Sequence, residues 1–269
     1  MAKQKKRIDL LLVEKGLFAS REQARRSIMA GLVFVDQNRI TKPGTAVDID
    51  AEIEVKGAMH PFVSRGGLKL AKALEVFNVD VSGLTAIDVG ASTGGFTDCL
   101  LQNGAAKVFA VDVGYGQLDW KLRNDPRVIV MERTNIRYVK PEDIGEDLDL
   151  AVIDVAFISL TKFFTNLLDL LKEDGEIIAL IKPQFEVGRE LVGRKGVVRD
   201  FNIHQELLLN LTRELQEAGA GLVNLDYSPI RGPEGNIEYL AYFSKCSPII
   251  DSSDLVLKTL ATVQSDPNL

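Results

Sequence analysis

Cysteine is almost missing from this chain: Cys99 and Cys246 are the only two among 269 residues, far apart and outside any CxxC pattern. A disulfide framework or a thiolate metal site needs more thiols at closer spacing, so neither is expected, and no metal site is expected. Long apolar runs are missing too. Stretches such as Leu84 to Val89 and Ile177 to Ile181 are interrupted by charge, well short of the roughly 18 residues a membrane span needs. The basic start Met1 to Arg7 is followed by Ile8-Asp9-Leu10-Leu11-Leu12-Val13-Glu14-Lys15, which lacks the unbroken apolar stretch and small-residue cleavage site of a secretory leader. A cytoplasmic protein without a membrane partner is the expectation.

What is present fits a soluble globular protein with a sizeable core: 46% hydrophobic and 26% charged residues. The length predicts one α/β domain plus a smaller module. The net charge of −6 is unevenly spread. Residues 1–60 carry eleven Lys and Arg against eight Asp and Glu, and the remainder 21 against 30. The basic end is therefore the better candidate for touching phosphate.

Ser20 with Gln23 three residues on reads as a capping box, opening a helix that Gly31 closes. A helical stretch is expected from about Ile8 to Ala30, then strands at Leu32–Asp36 and Ala51–Val55 around a Lys42-Pro43-Gly44 turn. This small α+β module spans 1–59. Arg21 and Arg25, one helical turn apart, with Arg26 beside them and Arg7 at the start, can present guanidinium groups to a nucleic-acid backbone. The Gly/Pro-punctuated stretch that follows is read as a linker over 60–66, leaving 67–269 as the larger domain.

In that domain apolar runs alternate with helical patterns. Strands are predicted near Ala86–Val89, Val108–Val113, Val128–Met131, Ala151–Val155, Ile177–Ile181, Leu222–Tyr227 and Ile237–Phe243, and helices near Leu68–Phe77, Phe96–Asn103, Thr161–Leu171 and Ile203–Glu217. The alternation implies a doubly wound, mostly parallel sheet of Rossmann-like type. Only Pro229 to Gly235 separates the last two strands, so they must pair as a hairpin, and the sheet should end in one antiparallel strand.

Open α/β sheets bind ligands at the carboxyl ends of their strands, and the first predicted strand runs into Asp88-Val89-Gly90-Ala91-Ser92-Thr93-Gly94-Gly95-Phe96. Glycines there allow close backbone approach to a ligand, with Asp88 and Ser92 as polar contacts. The second strand ends at Asp112, where a carboxylate can hold a ribose diol. Asn135, after the third strand, is a candidate for contacting adenine. These features fit any nucleoside-bearing cofactor. A GxGxxG dinucleotide turn would need glycine in place of Ser92, and no GK[ST] follows for a nucleotide triphosphatase.

Four ionisable residues sit at or near buried elements: Lys69, Asp154, Lys182 and Glu238. A charge there is costly unless paired, and two lysines with two carboxylates would balance. Between Glu186 and Asp200, three glycines with Arg189, Arg194, Lys195 and Arg199 suggest a mobile loop able to close over RNA. Arg65 precedes Gly66-Gly67-Leu68-Lys69 and adds a further candidate phosphate contact.

At these residues the sequence resembles the TlyA family, an S4 RNA-binding domain fused to an FtsJ-like methyltransferase domain, often labelled hemolysin A. The likeness rests on the S4-like pattern from Arg7 to Val55, on Ser64 to Leu70, on Asp88 to Phe96, on Asp154 to Ser159 and on Ile181 to Glu186. It implies S-adenosylmethionine as methyl donor and the ribose 2′-hydroxyl of a ribosomal RNA cytidine as acceptor, on free RNA or in an assembled subunit. Residues 88 and 90–96, with Asp112 and Asn135, would then hold the donor. Lys69, Asp154, Lys182 and Glu238 would match the family's Lys-Asp-Lys-Glu tetrad. A ribose hydroxyl is a poor nucleophile until its proton is accepted, and only a neutral lysine can accept it. The terminal stretch Asp254 to Val263 reads as an extra helix, resembling the longer form of the family said to modify both subunits.

Other chemistries fit less well. Amine methylation of the Asn/Asp-Pro-Pro-Tyr type would need that motif where the chain has Asp154-Val155-Ala156-Phe157, and cytosine C5 chemistry needs a nucleophilic Cys, usually beside Pro. The catalytic Asp motif of the pseudouridine synthases that S4 domains also precede is not found. A membrane-active hemolysin would show a spanning segment, a strongly amphipathic basic helix or alternating barrel strands. A non-catalytic RNA binder would have no need of the four paired charges.

Overall fold

Residues 5–18, 20–29, 31–55 and 61–267 are described in a computed structural model of the chain. Two units separate at residues 59 and 60. In the first, β1 (Lys5–Arg7) leads into α1 (Ile8–Glu14) and α2 (Arg21–Met29), followed by β2 (Val33–Val35), β3 (Asn38–Ile40), β4 (Ala46–Asp48) and β5 (Ile53–Val55). Ile8, Leu11 and Leu12 share one face of α1, and Ala24 and Ile28 one face of α2. Together with Phe18, Val33, Val35 and Val47 they form this unit's core. Ser20 Oγ accepts the Gln23 amide at 3.3 Å, which caps α2, and Gly31 terminates it at φ +70°. The helical stretch expected from Ile8 to Ala30 is made of α1 and α2, the second opening after Ser20 as the capping box predicts.

The two predicted strands are β2 and β5, paired antiparallel. Sequence reading missed β3. Asp36 and Gln37 both adopt positive φ, 47° and 65°, and turn β2 straight into β3. A two-residue turn of this type usually announces itself with Asn-Gly or Asp-Gly, and here the glycine is lacking.

The second unit holds α3 (Gly66–Phe77), β6 (Thr85–Val89), α4 (Gly95–Gln102), β7 (Lys107–Asp112), α5 (Trp120–Arg123), β8 (Val128–Glu132), α6 (Pro141–Ile144), β9 (Leu148–Ile153) and α7 (Phe164–Leu168). It continues with β10 (Leu171–Ile181), α8 (Pro183–Glu186), α9 (Phe201–Glu217), β11 (Gly221–Tyr227), β12 (Tyr239–Ser244) and α10 (Ser253–Ser265). The seven strands are ordered β11-β12-β10-β9-β6-β7-β8. β12 is antiparallel to both its neighbours, β10 and β11. The last strand in sequence therefore does not end the sheet in space. The crossover through α9 places β11 two positions from β10, and the hairpin drops β12 into the gap.

Side chains alternate along each strand, and both faces are buried. Ile87, Val89, Phe109, Val111, Ala151, Ile153, Ile177 and Ala179 pack on one side with residues of α7, α9 and α10. Ala86, Val108, Ala110, Leu150, Val152, Ile178 and Leu180 pack on the other with α3, α4 and Leu122 of α5. The helix expected over Thr161–Leu171 is shorter: a 3-10 turn at Leu160–Lys162 precedes α7, and Leu171 already belongs to β10. The run Lys172-Glu173-Asp174-Gly175 bulges out of register before pairing with β9 resumes at Glu176, which hides the strand's start from a pattern search. The predicted terminal helix is α10, which buries Val256, Leu260 and Val263.

Phe164 is 1% exposed and meets Phe243 edge-on at 5.5 Å. Truncation to Ala is expected to cost about 3–5 kcal/mol, read as a lower denaturation midpoint in urea.

Candidate active site

Val89 pairs with Ile153 across β6 and β9, and Ile153 with Ala179 across β9 and β10. Ile181 pairs with Tyr239 across β10 and β12. One residue beyond these strand ends lie Gly90, Asp154 and Lys182, and one residue before β12 lies Glu238. The register thus puts them along one edge. Lys182 Nζ is 2.6 Å from Asp154 Oδ1, with the two side chains 13% and 21% exposed. Lys69, on the first turn of α3, contacts Glu238 Oε2 at 2.5 Å, and this pair is almost wholly buried. A Cβ built on Gly66, one turn before Lys69, would sit 3.6 Å from Asp154 Oδ2, so the two pairs adjoin. All four tetrad candidates are brought together.

The glycine-rich turn lies against this edge. Gly90 has φ +88°, and a Cβ there would meet the Asp154 carbonyl oxygen at 2.6 Å. Gly94, at φ +97°, caps α4 and has Leu118 and Leu122 in the space of a side chain. At Gly95 a Cβ would strike Ser64 Oγ and the Gly67 amide, since the first turns of α3 and α4 touch there. The glycines serve protein packing as much as ligand approach. Ala91 and Phe96 are buried, and the Thr93 carbonyl accepts the Asp119 amide at 3.1 Å. Ser92 donates its amide to Asp112 Oδ2 at 2.7 Å, while Asp112 Oδ1 accepts the Gly114 amide at 2.6 Å. Asp112 is half-buried and keeps lone pairs for further donors. Asn135 Oδ1 caps the 3-10 turn at Ile136–Tyr138 by accepting the Arg137 amide.

Asp88 is fully buried on the face of β6 that meets α4. Its Oδ2 accepts both the amide and the hydroxyl of Thr97, and its Oδ1 has no partner. Burial pushes its carboxyl up to about 7, with Thr97 pulling the other way. An orphaned acceptor beneath this strand edge suits a ligand that carries a cation or donor nearby. Burial also pushes the Cys99 thiol up to about 12, which leaves it inert as a nucleophile.

Beside Lys182 stands an aromatic pair that sequence reading quoted without a role. Phe157 is 89% exposed at φ +66°, and its ring lies 4.9 Å from that of Phe185. Glu186 Oε1 accepts the Leu160 amide at 3.1 Å and so ties the two loops that carry these rings. The DVAF and KPQF runs were the available signal: an aromatic three residues past a charged strand end.

Arg65, Arg189, Arg194 and Lys195 are exposed. The loop bearing the last three differs from expectation. Two 3-10 turns organise it, Val197 and Val198 are buried, and Asn236 and His204 bind the Val198 peptide groups. It is pinned along its second half because those main-chain groups find buried partners. In the smaller unit Arg7 and Arg21 both clasp the buried Asp9 carboxylate at 2.9–3.0 Å, each half-exposed. Arg25 is exposed on α2, and the Arg26 side chain lies outside the described residues.

A sheet of this strand order with a glycine turn after its first strand defines a Rossmann-like methyltransferase, here preceded by a small basic module. The FtsJ-like methyltransferase family matches residues 62–245, and the S4 domain family residues 6–53. The chain belongs to the FtsJ-like methyltransferase family and, within it, to the TlyA group. It is 48% identical to "16S/23S rRNA (cytidine-2'-O)-methyltransferase TlyA" of Mycobacterium tuberculosis, over 88% of each chain. Identity to "Putative rRNA methyltransferase YqxC" of Bacillus subtilis is 51%, covering 90% of this chain and 86% of that one. A solved structure, "Putative hemolysin from Streptococcus thermophilus", superimposes with a TM-score of 0.77 at 48% identity, covering 98% and 97% of the two chains. No helix among the described residues is long and apolar enough to cross a membrane.

Because the folded-state pKa of Asp88 lies above its ordinary value of 3.8, its contribution to stability is full below about pH 4. It declines as pH rises towards about 7 and is flat beyond. Asp88→Asn is expected to flatten the stability profile across that window, measured by thermal melts at stepped pH.

Proposed function

We propose that this chain transfers a methyl group from S-adenosylmethionine to the ribose 2′-hydroxyl of a cytidine in ribosomal RNA. The observation that carries the reading is the pair of lysine–carboxylate contacts, Lys182 with Asp154 and Lys69 with Glu238, set against the Gly90 turn on one strand edge. The donor fits the residues present. Asp112 has lone pairs left for a diol, Asp88 has an unmatched oxygen, and residues 90–96 with Asn135 frame the turn. Bound there, S-adenosylmethionine supplies an electrophilic methyl on a sulfonium.

The protein's part is largely alignment and proton handling. Lys182, the more accessible lysine of the two, accepts or orients the 2′-hydroxyl proton. Asp154 fixes the reach of Lys182. Lys69 helps hold the ribose, and Glu238 sets Lys69. The exposed Phe157, backed by half-buried Phe185, offers a stacking face for an unstacked base, a contact worth about 1–3 kcal/mol per base. Arg7, Arg21, Arg25, Arg26, Arg65, Arg189, Arg194 and Lys195 contact phosphate and hold structured RNA in place. Ribosomal RNA as acceptor makes the cytoplasm the place of action, with free RNA and assembled subunits as the two forms to compare.

Incubation with 16S and 23S RNA, separated subunits and labelled donor, followed by mapping of 2′-O-methyl positions, tests this directly. Label is expected on a cytidine ribose, and transfer to none of these substrates would sink the proposal. Lys182→Ala should abolish transfer with donor affinity unchanged. Phe157→Ala should lower kcat/KM for RNA about tenfold, in line with the loss of one stacked base, again without changing donor binding.

A further inference from the structure

The segment around Glu238 is bound to the basic loop at two points that converge on one residue. Asn236 is 1% exposed, and both polar atoms of its side chain are engaged: Nδ2 donates to the Gly196 carbonyl at 2.8 Å and Oδ1 accepts the Val198 amide at 3.0 Å. On the other side of Glu238, the Tyr239 hydroxyl lies 2.6 Å from His204 Nδ1, and His204 Nε2 lies 3.1 Å from the Val198 carbonyl. A carbonyl can only accept, so the Nε2–H of the neutral ring donates to Val198, and Nδ1 accepts from Tyr239. Burial favours that neutral form by lowering the His204 pKa. Both polar groups of Val198 are thus held by the residues that bracket Glu238, Asn236 directly and Tyr239 through His204.

The same segment walls in the Glu238 carboxylate. The Asn236 carbonyl accepts the Gly232 amide at 2.9 Å and closes the Gly232–Asn236 turn. A Cβ on Gly232 would meet Glu238 Oε1 at 2.6 Å, so the carboxylate lies directly on that turn. Gly196, which the Asn236 amide grips, follows Arg194 and Lys195, both exposed. A short chain of hydrogen bonds and one close packing contact therefore runs from two surface cations to the carboxylate that holds Lys69.

We infer that Asn236, seconded by His204 acting through Tyr239, is a positioning residue that couples RNA contact by the Arg194–Lys195 loop to the setting of the Glu238–Lys69 pair. The inference rests on the methyl-transfer reading above and assigns Asn236 no contact with substrate. It differs from a simple structural latch in one respect: the benefit of the loop cations to turnover passes through Asn236. A structural latch would lower stability and leave the two effects independent.

A double-mutant cycle on the full chain separates these cases. In the wild-type background, Arg194→Ala with Lys195→Ala is expected to lower kcat/KM for ribosomal RNA about tenfold, since two phosphate contacts are lost. In an Asn236→Ala background, where kcat is already reduced and donor affinity by calorimetry is unchanged, the same pair should cost less than about threefold. Equal fold-losses in both backgrounds would overturn the inference, and so would full kcat in Asn236→Ala. Where Asn236→Ala does not fold, Tyr239→Phe replaces it in the cycle, because it removes only the hydroxyl that Nδ1 accepts from, and the same criteria apply. Retained methylation in Lys182→Ala would fell the underlying reading and this inference with it, a result distinct from additivity in the cycle.

Discussion

The parallel register of β6, β9 and β10 is the constraint from which the rest follows. Val89, Ile153 and Ala179 lie level with one another, so the chain leaves all three strands at one edge and continues into Gly90, Asp154 and Lys182. Burial on both faces holds that register. Ile87, Val89, Ala151 and Ile153 fill one core and Ala86, Leu150 and Val152 the other, and a slip of one residue would exchange the two sets. The same parity directs Asp88 towards α4, where Thr97 meets it. An acid placed inside a strand thus becomes an anchor for the helix behind the glycine turn. Close approach then completes the edge, because neither Gly90 nor Gly95 leaves room for a side chain.

Charges placed at such an edge are costly to desolvate, and their pairing decides how they are divided. Lys69 and Glu238 lie 169 positions apart in sequence and are the more buried pair. Their contact links the helix before the first strand of the sheet to the entry of the last. Removing one partner would strand the other charge out of water, a change usually worth about 3–5 kcal/mol, so this pair contributes to the fold as well as to the site. Lys182 and Asp154 retain more exposure. The Lys182–Asp154 pair is thus the more accessible of two largely buried pairs, in keeping with the proposal that Lys182 handles the hydroxyl proton.

Much of this was legible in the sequence, and the limits have physical causes. The continuous apolar runs placed six of the seven larger strands close to their bounds, while β10 began early because its bulged, charged start carries no pattern. The tetrad residues could be singled out because charge beside a buried run is conspicuous. Their pairing could not, since it depends on which strand inserts where, and β12 enters between β10 and β11. Phe157 stood in a quoted motif, yet its exposure comes from a positive φ that no phenylalanine advertises. Asn236 gave no signal at all. Its importance lies in two main-chain groups of Val198 and Gly196 that only the folded loop presents.

Under the proposed function, electrostatics gives the two units different parts in meeting RNA. Residues 61–269 carry 21 Lys and Arg against 30 Asp and Glu, a balance that taken as a whole disfavours a polyanion. At physiological ionic strength, however, charges act over only about 8 Å, so an RNA strand responds to the cations it touches, for which Arg65, Arg189, Arg194 and Lys195 are the exposed candidates, more than to distant acids. The smaller unit works on the other term. Its excess of basic residues favours first encounter, and the buried Asp9 carboxylate, held below the usual carboxylate range chiefly by the Arg7 guanidinium, orients Arg7 and Arg21 while leaving each with N–H donors to spare. A fixed fork loses less entropy on gripping a phosphate than two free arginines would. Under the proposed function, capture by the basic unit and local grip at an otherwise acidic one would together let a net-negative protein hold ribosomal RNA.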